Sequence, residues 1–596
     1  MADSPQINAE GVVRIVVTSE GTAIADTLEL ISATVRRAVN TVPSARLVFI
    51  DGDMPNETFP ASDGATFAPG AAIKISAGYG DTETAIFEGI VVKHGISISG
   101  QNDARLTVEC RDKAVKMTVG RKNAQFVDQA DSDIISALIG DYGLTADVTA
   151  TDETHPELVQ HYCTDWDFML ARAEANGLLV VVTDGTVAVK APDTSSAAVL
   201  TVTYGTDLID FDATLDSRSQ YTAVQASSWD MKTQAALDGS SAAPRRLNAQ
   251  GNLSSSTLAQ VMSPDSLRLQ TAAAVTTATL TQWAKAQQLK SGLARLRGSV
   301  RFQGSARATV GGILELAGVG ERFNGKAFIG GVNHEITGGD WITAVDFGMA
   351  PDWFTERPDI AAPPAAGLVP GIEGLQIGVV KKLDADPGGE QRVCVTLPVL
   401  GLESTGVWAR LLKFYGSSGF GAFFIPEVGD EVVLGYFSND PSYPVILGSV
   451  YSSKHAPPYA LTAENNTKAI VTRCKAKIEF NDEDKIITIS TPGKNTVVIS
   501  DKDKSITLTD QNSNKVELGT GGITLDSPKD IKITAKGTIT LDAVGALTIT
   551  SKADVKCSGL NINCEAQVGA VVKGSASAEL SAAGQTTVKG AMVMIN

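Results

Sequence analysis

The sequence predicts a mainly β protein: β-barrel-rich N-terminal domains, a small closed barrel, and a C-terminal intertwined triple-stranded β-helix. Three observations carry this reading. The 132 residues from Asn465 onward hold one aromatic, Phe480, whereas the preceding 464 hold 33. Apolar pairs in that tail recur at a fixed step of eight residues. Just upstream, about 85 residues of short alternating strands are separated by Gly and Pro turns.

The length, 596 residues, corresponds to about four domains of roughly 150 residues, enough to bury a core without disulfides or metals. Hydrophobic residues at 43% and charged residues at 20% fit a globular chain. Lys+Arg number 50 and Asp+Glu 67, a net charge of −17 that argues against a general phosphate-binding surface. Six cysteines, at 110, 163, 394, 474, 557 and 564, are too sparse for a disulfide scaffold and read as reduced thiols. The start, MADSPQINAE, lacks the apolar region of a signal peptide. Apolar runs such as residues 178–182 fall far short of the ~20 residues that span a bilayer. The expectation is a chain made in the cytosol that meets membranes only after assembly. The charge is uneven. The tail has 16 basic and 14 acidic residues, so residues 1–464 carry 34 − 53 = −19.

In the tail, aliphatic and Thr residues alternate with polar ones, the period of half-buried strands. Ile523/Leu525, Ile531/Ile533, Ile539/Leu541, Leu547/Ile549 and Val555/Cys557 each follow the last by eight residues. After one step of seven to Ile562/Cys564, the octads resume through Ala570/Val572, Ala578/Leu580, Thr586/Val588 and Met594/Asn596. Glycines at 537, 545, 559, 569, 574, 584 and 590 suit corners. Upstream pairs, Ile487/Ile489, Val497/Ile499, Ile506/Leu508 and Val516/Leu518, have looser spacing. An octad supplies a strand of about five residues and a corner, with two or three small inward side chains. That is too little to fill a single-chain solenoid. Three chains wound about one axis pair each other's edges and need only a thin interior. A single-chain solenoid or a flat meander is the plainer alternative. Strands perpendicular to the axis would give a rise of about 4.8 Å per octad and a rod of roughly 50–60 Å.

Residues 358–371, PDIAAPPAAGLVPG, read as an extended Pro/Ala linker. The strands expected after it lie at 375–381, 391–397, 406–412, 422–425, 431–436 and 445–450, the pattern of an OB-fold. OB-folds often stack bases on aromatics, here Phe414, Tyr415, Phe420 and Phe424, but the acidic balance argues against nucleic acid.

At this point the sequence resembles a known family. The runs Arg392-Val393-Cys394-Val395-Thr396-Leu397-Pro398, Val407-Trp408-Ala409-Arg410, IPEVGDEVVL at 425–434 and NDPSYPVILG at 439–448 resemble the OB domain of VgrG spike proteins. In that family an OB domain precedes a trimeric β-helix, the order found here. The chain end, Val588-Lys589-Gly590-Ala591-Met592-Val593-Met594-Ile595-Asn596, resembles VgrG ends that present a blunt tip to a PAAR-type cone. Residues 162–178, YCTDWDFMLARAEANGL, resemble the family's hub, itself similar to the tail hub of contractile phages. Locally, Thr164 and Asp167 suit a capping box, Trp166, Phe168 and Ala171 offer apolar surface, and Gly177 suits a left-handed cap. A second helix is expected over 279–297, with Leu280, Trp283, Leu289, Leu293 and Leu296 roughly on one face. Strands are expected at 71–79, 85–94, 105–111, 300–310 and 341–348, and 233–274 reads as loop.

The resulting domain order is 1–357 for two related β-barrels with helical insertions, 358–371 linker, 372–456 OB-fold, 457–485 neck and 486–596 octad needle. The needle core would be Ile523, Leu525, Ile531, Ile533, Ile539, Leu541, Leu547, Ile549, Val555 and Cys557. Met592, Met594 and Asn596 would form the last layer, with Val593 and Ile595 on the alternate face, a docking surface for a PAAR-type tip. The resemblance further implies a homotrimer joined to inner tube and baseplate proteins, with room for effector cargo. It implies cytoplasmic assembly into an injection particle that meets the target membrane only on firing. The needle would transmit sheath force.

Catalytic patterns are thin. His334-Glu335-Ile336-Thr337-Gly338 lacks the second histidine of a zinc-protease helix. His155, His161 and Cys163 have no fourth ligand at sensible spacing. Gly318-Val319-Gly320 precedes no clear helix, and Gly416-Ser417-Ser418-Gly419 is not a nucleophile elbow. No enzyme, cofactor or metal is expected, although a paired-carboxylate glycosidase site stays open. No inserted block flanks the OB segment where this family would carry an enzymatic domain. A receptor- or glycan-binding tail fibre is the rival reading, since fibres also use trimeric β-helices.

Overall fold

The structure, a computed structural model, describes residues 3–6, 11–101, 103–262, 266–401 and 405–595. It divides into two units, Met1–Val450 and Tyr451–Asn596.

The first unit is organised by a 13-stranded sheet with two β-rich halves. In the first half, strands such as Ser44–Ile50, Ala72–Tyr79 and Ala104–Arg111 alternate buried and less buried residues. Leu47, Phe49, Ile73, Ile75, Leu106 and Val108 thereby share one core with Phe67 and Phe87. The second half, including Leu296–Gln303, Gly325–Thr337 and Asp340–Phe347, buries Val300, Phe302, Ile329, Val345 and Phe347. The halves are joined where Gly325–Thr337 pairs antiparallel with Leu30–Ala38, setting His334 opposite Val35. Within the second half the packing is tight at Gly304: its amide donates to the Trp341 carbonyl at 2.8 Å, and a Cβ there would lie 2.1 Å from the Trp341 ring.

Among the described residues the first unit also holds four α-helices: α1 (Asp131–Gly140), α2 (Asp165–Ala175), α3 (Ser255–Met262) and α4 (Thr277–Ala294). The expected cap on α2 is present. The Thr164 hydroxyl accepts from the Asp167 amide at 3.0 Å, and Gly177 has φ of 67°. Trp166 and Phe168 are buried as expected, together with Met169 and Leu170. Helix α1 is not anticipated by pattern, because Ile134, Ile135 and Ile139 are β-branched and lower helix propensity. Packing decides instead: all three are fully buried in a core shared with α2. Residues 233–274, expected as loop, contain the strands Ala235–Asp238 and Leu267–Gln270 as well as α3. Helix α4 stops before Leu296, which begins a strand rather than ending the helix, and that strand ends at Gln303, short of the expected 310.

The strands Gln376–Lys382, Val393–Thr396, Val407–Leu411, Pro444–Ser449 and Glu431–Tyr436 close into a five-stranded barrel. Val380, Val395, Ala409, Val432, Leu434 and Ile446 fill it. The strand expected at 422–425 is absent. Its place is taken by a short hairpin, Gly416–Ser417 paired with Phe420–Gly421. Among the described residues, no helix is long and apolar enough to cross a membrane.

Candidate functional site

In the second unit seven strands, from Thr467–Val471 to Gly522–Asp526, form an antiparallel meander in which each pairs with the next. This differs from the wound strands expected for 486–526. Local turns explain it: Thr491 and Asp510 carbonyls accept from Lys494 and Ser513 amides three residues on, closing tight hairpins. Lys485, Lys494, Lys504 and Ser513 occupy these corners at positive φ. Period 2 then puts the aliphatic set on one face. Phe480, Ile487, Ile499, Ile506, Leu518 and Ile523 are successive cross-strand partners in one row. Ile478, Ile489, Val497, Leu508, Val516 and Leu525 form the other. Sheets of this size bury such a face. Here Ile489, Ile499, Leu508 and Leu518 stay exposed, and a trough of about 610 Å³ runs over Ile489, Val497, Leu508, Val516 and Leu525 to Ile531.

Beyond Asp526 no further strand occurs among the described residues. Ile523 and Leu525 lie in the last strand; Ile531, Ile533, Ile539, Leu541, Leu547, Ile549, Val555 and Cys557 lie outside any strand. All ten are exposed, Ile533 at 68%. The single chain therefore does not bring the expected needle core together. Met592, Val593, Met594 and Ile595 are likewise exposed, and Asn596 lies outside the described residues. The chain exposes 36976 Å² in all, whereas a folded monomer of 62.2 kDa exposes about 20,000 Å². Much of the excess comes from the tail, which is exposed almost throughout beyond Asp526.

The barrel carries a second uncovered feature. Phe414, Tyr415, Phe420 and Phe424, considered above as stacking residues, are exposed, and Phe423 joins them.

Polar groups elsewhere are committed to structure. Asp131, at the start of α1, accepts from Arg172 Nε at 2.6 Å and Nη2 at 2.8 Å, and from Asn176 at 2.7 Å; His155 Nε2 is 3.0 Å away. Burial alone would raise its carboxyl, but these partners hold it below the usual carboxylate range. His334 is buried, with Nδ1 3.0 Å from the Thr343 hydroxyl, and burial lowers it to about 3. Ser62 Oγ lies 2.7 Å from His94 Nε2, and His94 Nδ1 faces the Phe67 carbonyl at 3.0 Å. That pair resembles a nucleophile and base, yet the Ala61 and Ser62 amides are both given to Asp51, which removes the nearest oxyanion donors. Among the described residues no group of three or more His, Cys, Asp or Glu is placed to hold a metal.

Parts of the chain are similar to known proteins. Residues 9–338 match the family described as the Alg8 N-terminal domain. Residues 376–451 match the type VI secretion system/phage-baseplate injector OB domain. The type VI secretion system spike protein VgrG5 of Pseudomonas aeruginosa is 30% identical over 115 residues, 18% of this chain and 14% of that protein. The actin cross-linking toxin VgrG1 of Vibrio cholerae is 34% identical over 71 residues, 12% of this chain and 6% of the toxin. The chain thus covers a small part of each relative's length. Among solved structures, a tail protein of prophage MuSo2 from Shewanella oneidensis has a TM-score of 0.43 at 11% identity, covering 57% of this chain and 99% of that one. An E. coli type VI secretion component, described as similar to the T4 tail proteins gp27 and gp5, has a TM-score of 0.37 at 12% identity, covering 73% and 99%.

Proposed function

Because the chain belongs to the Alg8 N-terminal domain family and is a VgrG-type spike protein with an injector OB domain, we propose that three copies form the hub and needle of a contractile injection machine. The carrying observation is the uncovered repeat: ten octad residues that all stay exposed, eight of them outside any strand of their own chain. Three copies supply what one lacks. Each strand edge gains a neighbour, and the aliphatic rows turn toward a shared axis where burial stabilises by about 25 cal/mol per Å². Backbone hydrogen bonds shared among three chains resist local opening, because opening any strand requires chains to separate together.

In this reading the first unit seats on inner tube and baseplate proteins. Met592, Val593, Met594, Ile595 and Asn596 present an apolar end to a PAAR-type tip. A sheath supplies the work, the spike transmits it, and the target membrane is met only on firing. The particle is assembled in the cytoplasm. The role is mechanical rather than enzymatic. The toxin relative matches over 6% of its own length, so its named activity does not extend to this chain by similarity. Light scattering of the purified chain tests the reading: it expects a mass three times 62.2 kDa, stable to mild detergent. A stable monomer would overturn it.

A further inference from the structure

The loop joining Val407–Leu411 to Glu431–Tyr436 is ordered and yet turned outward. Its hairpin is fixed by pairing of Gly416 with Gly421 and Ser417 with Phe420, and by the Ala422 amide donating to the Tyr415 carbonyl at 2.9 Å. Gly421, at φ 142°, cannot be replaced freely: a Cβ there would lie 2.8 Å from Gly416 Cα. The Lys413 ammonium donates to the Phe424 carbonyl and latches the two legs of the loop. Tyr415 and Phe420 rings lean on one another at 6.0 Å. The conformational entropy of the loop has therefore already been given up, although the rings bury little.

Phe414 is 88% exposed and Phe423 85%, and Tyr415, Phe420 and Phe424 are more than half exposed. At about 200 Å² per ring these leave roughly 700 Å² of aromatic surface on each copy. Soluble monomers seldom leave patches above about 300–600 Å², and a stable interface buries about 800 Å² per partner. We propose that this hairpin packs against a second copy of the chain, so that the spike is held together at its barrels as well as at its repeat. The proposal rests on the trimer reading above.

Two observations favour a second copy as the occupant. Residues 412–426 contain one lysine and no acid in a chain of net charge −17, so this is a surface where like-charged copies can touch without facing carboxylates. The barrel's last strand ends at Ser449 and the meander begins at Thr467. The intervening 17 residues reach no more than about 60 Å even fully extended. Three repeats wound together would thus tether three barrels at millimolar effective concentration. At that concentration the hairpin of one copy meets another before any free partner.

The test places a photoreactive benzoylphenylalanine at Phe423 in the full chain, with light scattering to establish mass before irradiation. A trimeric mass with covalent dimers and trimers, cross-linked between residue 423 and residues 405–450 of a second copy, is the expected result. A trimeric mass without interchain product overturns the barrel contact and leaves the repeat trimer standing. So does a product formed only with added phosphatidylglycerol/phosphatidylethanolamine vesicles, which would assign the hairpin to lipid. A monomeric mass overturns both. As a second readout, Tyr415 in the assembled wild type should resist nitration by tetranitromethane, and ready nitration would count against the contact.

Discussion

Replacing Ile533 with Asp isolates the repeat, because Ile533 touches little in its own chain. At 68% exposure, the side chain has about 120 Å² left to bury, or ~3 kcal/mol per copy and ~9 kcal/mol for three. Three carboxylates about 6 Å apart add ~3 kcal/mol of repulsion per pair at an effective dielectric near 20. Ordering eight residues costs about 1–2 kcal/mol each, so the net margin of any one layer is small. A loss above ~10 kcal/mol is not absorbed by its neighbours. Light scattering should therefore show the variant as monomer under conditions where the wild type is trimeric, while Thr534→Asp, on the alternate face, remains trimeric. An I533D chain that assembles normally would refute the register. So would a Thr534→Asp chain that fails where I533D succeeds.

Other outcomes follow from the first unit. Asp131→Ala leaves the Arg172 guanidinium without its carboxylate partner, and should lower stability by about 3–5 kcal/mol in urea denaturation. His334 stays neutral when folded down to about pH 3, whereas an unfolded histidine protonates near 6.5. The unfolded state then binds more protons, so stability should fall as pH drops below about 6.5, by ~2 kcal/mol at pH 5. His334→Gln should flatten that part of the profile. Gly304→Ala forces the Trp341 ring away from a Cβ otherwise 2.1 Å distant. It should cost at least about 1–3 kcal/mol, seen as a lower thermal midpoint and a weakened near-ultraviolet Trp signal.

The parts of this fold legible in sequence are those where local chemistry and packing agree. The Thr164 cap, the α2 apolar residues and the barrel turns all point the same way as the tertiary structure. Helix α1 was illegible because its isoleucines favour strands and only burial against α2 overrides them. Helix α3 was hidden in a Ser/Ala-rich stretch whose composition gives no period. The octads mask the hairpin corners: Pro492-Gly493 does mark the turn closed on Thr491, whereas the corner at Lys504, within Asp501-Lys502-Asp503-Lys504, carries neither Gly nor Pro. The exposure of Phe423 was illegible for a different reason: an outward ring and a core ring look alike in one dimension.

The division of the tail at Asp526 has a kinetic consequence. The meander is built from contacts between neighbouring hairpins, which close in about 1–10 μs, so its strands can pair within one chain as it is made, although their aliphatic face still waits for cover. In the proposed trimer the octads beyond it would wait for two other chains, and their pairing rate would rise with chain concentration. Until then their isoleucines and valines are open to wrong partners. The meander is thus the natural starting point of a zipper that runs toward residue 596, and the tip is the last place to take shape. Dilute synthesis should yield soluble, half-folded monomers that mature only when mixed, with the distal octads acquiring amide protection after the proximal ones.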